Sequence, residues 1–299
     1  MRRTAEFDAF GPWVLRVRDE ADVPPLFRAQ KVDLDAALLV LKVPRNITRR
    51  DANPDMDLYD HLVVAGPDDV TLLSRRAHGP GYDEAHVRYD DVAWVRTSVE
   101  LLDARLTVAD ARGGHGLSFT YSGSSDDEVE ALAQLVRRRA VGPVAADDAH
   151  GPGRELQMHD LGTDDIGLVT AARALTSSEP GAAVLAAHGR RTVRRQGGRG
   201  SALLDALAPV TLHGLVVAAS PGQVHLLHRR RWATTSRRPV HSMVRTTLLR
   251  AQVTGAAVTP AEAWIDVDQV TARMGGGSLA VPVPRGSDAS GALTRLLRA

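Results

Sequence analysis

Two stretches of this chain follow one pattern, and that repetition limits the folds open to it. Tyr59-Asp60-His61-Leu62-Val63-Val64-Ala65 runs into Gly66-Pro67-Asp68-Asp69 and then into Val70-Thr71-Leu72-Leu73-Ser74-Arg75-Arg76. Later, Leu212-His213-Gly214-Leu215-Val216-Val217-Ala218 runs into Ala219-Ser220-Pro221-Gly222, and then Val224-His225-Leu226-Leu227-His228-Arg229-Arg230 follows. Apolar runs on either side of a Gly/Pro/Asp cluster predict a β-hairpin. Leu62-Val63-Val64-Ala65 aligns with Leu215-Val216-Val217-Ala218 at an offset of 153 residues. A duplicated domain is the reading this echo supports, and 299 residues are enough for two separate cores.

Taken in order, residues 1–35 form an aromatic N-terminal segment with Phe7, Phe10, Trp13 and Phe27. Such a segment docks on a core; the alternative is a peptide offered to a partner's groove. A first domain is expected over 36–140. Its strands are Ala36–Val43, the hairpin, Glu84–Tyr89, a strand starting at Val92-Ala93-Trp94-Val95, Arg105–Val108 and Leu117–Tyr121. Leu117, Phe119 and Tyr121 alternate, which buries one face of the last strand. Ser124-Ser125-Asp126-Asp127-Glu128 caps a helix to about Arg139, with Val129, Leu132, Leu135 and Val136 as its stripe. Arg137-Arg138-Arg139 reads as a solvated helix end. Residues 141–153 form a Gly/Pro linker.

A second domain is expected over 154–299. Thr163-Asp164-Asp165 caps a helix with Ile166, Val169 and Leu175 on its apolar side. Ala182–Ala187 is its first strand, and a basic loop follows. Ser201–Leu207 adds a short helix. After the second hairpin, strands are expected near Met243–Val253, Trp264–Val270 and Leu279–Pro284. Pro282 and Pro284 make the last an edge strand or cut it short. Ser287-Asp288 caps a final helix with Leu293, Leu296 and Leu297 apolar.

Charge divides the halves. Residues 151–299 hold 18 Arg and 10 acidic residues, a net of +8, while residues 1–150 hold 19 basic and 26 acidic residues, a net of −7. Opposite signs favour attraction between halves, within one chain or between chains, or an anionic partner for the basic half. Cysteine is absent, so disulfides, thiolate metal sites and cysteine nucleophiles are excluded. Residues 1–8 show no apolar leader segment, and no run reaches membrane-spanning length, so a cytoplasmic location is expected.

The run His86-Val87-Arg88-Tyr89-Asp90-Asp91-Val92-Ala93-Trp94-Val95 resembles the strand, polar pair, strand middle of bacterial pleckstrin-homology-like domains. The later Leu106–Val108 and Leu117–Tyr121 strands and the capped helix continue that resemblance over residues 36–139. Residues 182–298 follow it more loosely, with Thr246-Thr247-Leu248-Leu249 in place of the acidic pair. The resemblance implies a mainly β fold with α (α+β). Two pleckstrin-homology-like β-barrels or sandwiches are expected in tandem, each of about six or seven antiparallel strands capped by a C-terminal helix. It also implies that the loop after the first strand is where relatives gather basic side chains around lipid head groups.

Three candidate sites follow. Asp51, Asn53, Asp55 and Asp57 place oxygens at alternating positions, as calcium loops do. Met56 and Leu62 stand where such a loop needs Gly and Glu, so no metal is expected. In the first domain Lys42, Arg45, Arg49 and Arg50 occupy the loop region but are diluted by acids. In the second, Arg190, Arg191, Arg194, Arg195 and Arg199, with Arg229, Arg230, Arg231, Arg237 and Arg238, are the stronger anion-binding candidates. Nucleic acid ranks lower, since only Trp232 stands among them for stacking. The Gly-rich runs match no phosphate loop, the His residues are scattered, and neither a nucleophile elbow nor a zinc-protease motif occurs. The expected function is therefore non-enzymatic and without cofactor. It is an adaptor for protein partners or copies of itself, with peripheral binding of anionic lipid or phosphate through the second domain as the alternative.

Overall fold

The computed structural model describes residues 5–113, 116–142, 153–197, 199–235 and 240–298. The expected linker lies outside them over residues 143–152, as do Arg237 and Arg238. The fold is mainly β with α, in several antiparallel sheets, none of which closes on itself. The chain forms two compact units, Met1–Asp110 with Gly114–Gly142, and Ala111–Gly113 with Pro143–Ala299.

In the first unit a short helix α1 (Ala5–Ala9), strand β1 (Leu15–Arg16) and two 3-10 turns precede the sheet. Strands β2 (Leu39–Pro44), β3 (Tyr59–Ala65), β4 (Asp69–Arg75) and β5 (Tyr82–Arg88) then run as an antiparallel meander with β1 on its edge. A second meander follows, β6 (Val92–Glu100), β7 (Asp103–Asp110) and β8 (Leu117–Ser122), and then helix α2 (Asp126–Val141).

The hairpin strands are apolar at successive positions because both faces of this sheet are covered. Leu62, Val64 and Leu73 meet Phe10, Val17, Val23 and Phe27 in one apolar cluster, while Val63, Ala65, Val70 and Leu72 point to the other face and are buried as well. The aromatic segment is thus a lid on the sheet. Phe10 meets the Tyr59 ring edge-on at 6.3 Å, and Phe27 lies 5.5 Å from Tyr82. Basic side chains fasten it. The buried Lys42 amine donates to the Asp22 carbonyl at 3.0 Å, and Arg49 donates to the carbonyls of Phe10 and Asp8 at 2.5 and 3.2 Å.

The second unit begins with α3 (Met158–Leu161) and α4 (Ile166–Ser178). Strand β9 (Ala183–His188) follows, then β10 (Arg191–Arg195), helix α5 (Arg199–Leu207) and β11 (Val210–Leu212). The main sheet resumes with β12 (Leu215–Ser220) and β13 (Gln223–His228). After β14 (Ala233–Thr234) comes β15 (Ser242–Leu249), so that β9, β12, β13 and β15 are antiparallel neighbours. Strands β16 (Val253–Pro260), β18 (Val267–Met274) and β19 (Gly277–Pro284) form a three-stranded sheet, with the two-residue β17 (Trp264–Ile265) between them in sequence. Helix α6 (Asp288–Arg298) ends the chain.

Here too both faces of the main sheet are buried. Leu168, Val169, Ala172 and Leu175 of α4 pack on Val184, Val216, Ala218 and Leu227. Leu215, Val217, Val224 and Leu226 alternate onto the opposite face, where α6 crosses β9 and β12. Leu62 and Leu73 lie on the face that the N-terminal segment covers in the first unit, and Val216 and Leu227 on the face that α4 covers in the second.

Other expectations change for local reasons. Residues 191–195, expected as loop, form β10, because Arg191–Val193 pairs with β11 and Arg194–Arg195 with β17. The strand expected over Met243–Val253 is broken by a 3-10 turn at Arg250–Gln252, and Trp264–Val270 by Asp266 at φ 59°. Ile166 is exposed, and Leu168 takes its place in the core. Arg137 is buried and reaches Glu130 at 3.1 Å instead of ending a solvated turn. Strand β19 lies on a sheet edge, its prolines facing β18 at Val267 and Gln269.

Candidate functional site

The segment between β9 and β12 carries the feature of greatest interest. Strands β10 and β11 pair with each other, and α5 lies against β10. Asp205 ties it to the strand. The Asp205 carboxylate accepts from the Arg195 backbone N–H at 2.9 Å and from its guanidinium at 2.5 Å, and Arg195 also donates to the Ala208 carbonyl at 3.1 Å. Ser201, Asp205 and Ala208, at helical spacing, are the half-buried positions. Leu203, Leu204 and Leu207 point away and are 64%, 55% and 73% exposed. A surface helix normally does the reverse, burying its apolar stripe and wetting its polar one. Beside it on β10, Arg191 and Arg194 are exposed.

The candidate arginines do not converge. Arg229 is 5% exposed and bound to Asp165, which is fully buried. Its Nη2 and Nε donate to Asp165 Oδ1 at 3.0 and 3.2 Å, and its Nη1 donates to the Ser242 carbonyl at 2.8 Å. Arg190 approaches the other carboxylate oxygen at 3.5 Å and Asp164 at 3.3 Å. Arg195 is spent on Asp205. Arg194 makes only a loose 3.7 Å pair with Asp266, both side chains 71% exposed. Arg230 and Arg231 are exposed, and the Arg199 side chain lies outside the described part. A pocket of about 450 Å³ opens at Asp164, Gly167, Arg190, Arg229 and His241, but its two arginines are balanced by Asp164 and Asp165.

Asp165 was the residue that sequence reasoning missed. It reads as a helix cap, and it does precede α4, yet its side chain makes no cap hydrogen bond. It turns inward to Arg229. Gly214 makes room, since a Cβ there would lie 2.6 Å from Asp165 Oδ2. Ser125 behaves alike before α2, accepting from the Val14 backbone N–H at 2.9 Å. Ser287 does cap α6, accepting from the Ser290 N–H at 3.3 Å.

The acidic β2–β3 loop is held by its own turns. Asp51 accepts from the Thr48 hydroxyl at 2.6 Å, and Asn53 Oδ1 accepts from the Asp55 N–H at 3.0 Å. Among the described residues no group of three or more His, Asp or Glu is arranged to hold a metal ion. In the same unit Arg45 lies 3.7 Å from Asp60.

His225 has a carboxylate close by. Glu179, just past α4, places Oε2 3.4 Å from His225 Nε2, and the Ser220 hydroxyl lies 2.8 Å from the same nitrogen. Thr247 occupies Nδ1 at 3.0 Å. A serine nucleophile needs the acid on Nδ1 and an accessible hydroxyl. Here both serine and histidine are buried, and the set is a hydrogen-bond network of the sheet.

His188 and His213 are buried near Asp165. Loss of hydration lowers both imidazole pKa values; the Gly189 carbonyl opposes it at His188 and Asp165 opposes it at both, while Arg191 beside His188, and Arg190 and Arg229 beside His213, add to the lowering. Folding therefore favours the neutral form of both, whereas an unfolded histidine titrates near about 6.5. On acidification the unfolded state binds the extra protons, so stability is full above that value and is lost as pH falls below it. The denaturant midpoint of the full chain is expected to drop between about pH 7 and 5, and a His188→Gln/His213→Gln variant is expected to flatten that slope. An unchanged slope in the variant would contradict the assignment.

No family model, curated protein or solved structure matches the chain. The residues themselves must carry the functional argument. Among the described residues no helix is long and apolar enough to cross a membrane.

Proposed function

We propose that the chain is a non-enzymatic adaptor of two pleckstrin-homology-like units that holds a protein partner through the leucine face of α5. The tandem reading is supported by element order. Each unit places a covering segment before four antiparallel strands, then three more, then a helix, the second unit adding β10, α5, β11, β14 and β17 between them. The observation that carries the function is the outward-facing stripe Leu203, Leu204, Leu207 on a helix tied to β10 through Asp205. Exposed apolar side chains grouped on one element mark interaction surfaces more than single exposed leucines do. The segment bearing them follows the first meander strand β9, the region in which the family resemblance puts ligand contacts.

Replacing Leu203, Leu204 and Leu207 together by Ser is expected to alter folding stability by no more than about 0.5 kcal/mol per site, the usual range for surface changes. The same change should abolish capture of the partner when tagged full-length chain is recovered from its native cells by crosslinking. An identical set of captured proteins with parent and variant would sink the reading.

The second reading is an anionic lipid or phosphate ligand. Exposed Arg191, Arg194, Arg230 and Arg231 favour it. Against it, Arg190, Arg195 and Arg229 are neutralised by Asp164, Asp165 and Asp205.

A further inference from the structure

We propose that the buried cluster around Asp165 is an acid-operated latch: proton uptake by His188 and His213 releases the α3–α4 segment from the main sheet of the second unit and leaves the rest of that unit folded.

The latch joins two sides. The start of α4 brings the carboxylates, Asp164 and Asp165. The sheet brings the cations and imidazoles: His188 at the end of β9, Arg190 and Arg191 after it, His213 between β11 and β12, and Arg229 after β13. Asp165 accepts from Arg229 on one oxygen and has Arg190 3.5 Å from the other. Arg229 Nη2 also donates to the Asp164 carbonyl at 3.2 Å, and Arg190 donates to the Asp164 side chain at 3.3 Å. On α3, Asp160 pairs with Arg154 at 2.9 Å, and His159 is exposed. The end of α3 presses on Gly189, where a Cβ would lie 2.7 Å from the Leu161 carbonyl oxygen.

The histidines are placed to overload that cluster. Both are buried, and the backbone beside each borders Asp165. A Cβ at Gly214, next to His213, would lie 2.6 Å from Asp165 Oδ2 and 3.1 Å from the His188 carbonyl oxygen. His188 Nδ1 lies 3.1 Å from the Gly189 carbonyl, which holds the proton of the neutral ring there and leaves Nε2 to take up the second. Among the described residues neither His188 Nε2 nor either ring nitrogen of His213 has a hydrogen-bond partner. An imidazolium formed in place would bury a charged N–H without an acceptor, beside two guanidiniums that already share one buried carboxylate. Lifting α4 gives that N–H water.

The release stays local because the ladder and the other cover do not depend on the cluster. Strands β9, β12, β13 and β15 hold one another by antiparallel pairing, and α6 crosses β9 and β12 on the opposite face. Acid thus uncovers Leu168, Val169, Ala172 and Leu175 of α4, and the face of Val184, Val216, Ala218 and Leu227 beneath them.

A histidine that binds its proton less readily when docked than when released raises the released population by up to about tenfold per pH unit below about 6.5, and two raise it by up to about a hundredfold. The test is amide hydrogen exchange of the full chain at about pH 7 and about pH 5, corrected for the pH dependence of exchange itself. Protection of Ile166–Ser178 is expected to fall about tenfold or more while β12, β13 and α6 keep theirs. His188→Gln/His213→Gln is expected to remove that fall. Equal loss in all of these elements, no loss in α4, or an undiminished loss in the double variant overturns the proposal. If the double variant does not fold, an NMR titration of the parent's imidazole protons decides. The two rings are expected to take up protons together with the loss of α4 protection, and rings that titrate while α4 stays protected overturn the proposal.

Discussion

Asp165→Ala lowers the stability of the second unit by about 3–5 kcal/mol, the range for removing one partner of a buried ion pair. The carboxylate is fully buried and receives two N–H groups of Arg229 on one oxygen. Without it, the guanidinium keeps its bonds to the carbonyls of Ser242 and Asp164 but loses its counter-charge inside the protein. The Arg190 guanidinium close by adds like charge to the same place. Replacing both partners, Asp165→Ala with Arg229→Met, should cost less than Asp165→Ala alone, because no uncompensated charge remains. Urea unfolding of the full chain gives the comparison, and Trp232, stacked 4.0 Å from His228 in this unit, supplies a local fluorescence signal. A loss below about 1 kcal/mol, the scale of an exposed pair, would mean that the site is wet rather than buried.

Phe27→Ala destabilises the first unit by about 3–5 kcal/mol, as expected for truncating a fully buried aromatic ring. Phe27 is 0% exposed, lies against Tyr82, and belongs to the cluster that covers Leu62 and Leu73. The size of the effect separates two roles for the N-terminal segment. A segment held in reserve for a partner's groove would give up Phe27 at little cost to stability. A lid on the sheet would not. Denaturant unfolding settles it, and a change near zero would return the segment to the first role.

What was legible in the sequence was periodicity. Leu117, Phe119 and Tyr121 alternate because one face of β8 is buried, and the leucines of α6 repeat because that helix covers a sheet on one side. The hairpins were legible as elements but not in register. Leu62-Val63-Val64 and Leu215-Val216-Val217 are apolar at every position, so nothing in either triplet says which side chain faces which way. Only the covering segments decide that, and they lie far off in sequence. The site was less legible for a related reason. An arginine run looks the same whether it meets solvent or an aspartate 64 residues away, as Arg229 meets Asp165. The leucines of α5 looked like an ordinary short helix, since sequence shows an apolar stripe but not the side on which the helix is tethered. Asp205 decides that by holding Arg195, and only coordinates show it.

The covered sheets bear on how the chain is made. Strands β12 and β13 are buried on both faces and rich in Leu and Val, a composition prone to cross-strand aggregation when left bare. Their cover on one face is α4, and α4 is translated before them, just as residues 5–30 are translated before β3 and β4. Synthesis adds about 5–20 residues per second, slowly enough for a helix to form before the next strand emerges. In each unit the shield leaves the ribosome ahead of the strands it shields. A circular permutation that moved residues 153–182 behind α6 would reverse that order, exposing the hairpin for the time it takes to finish the chain.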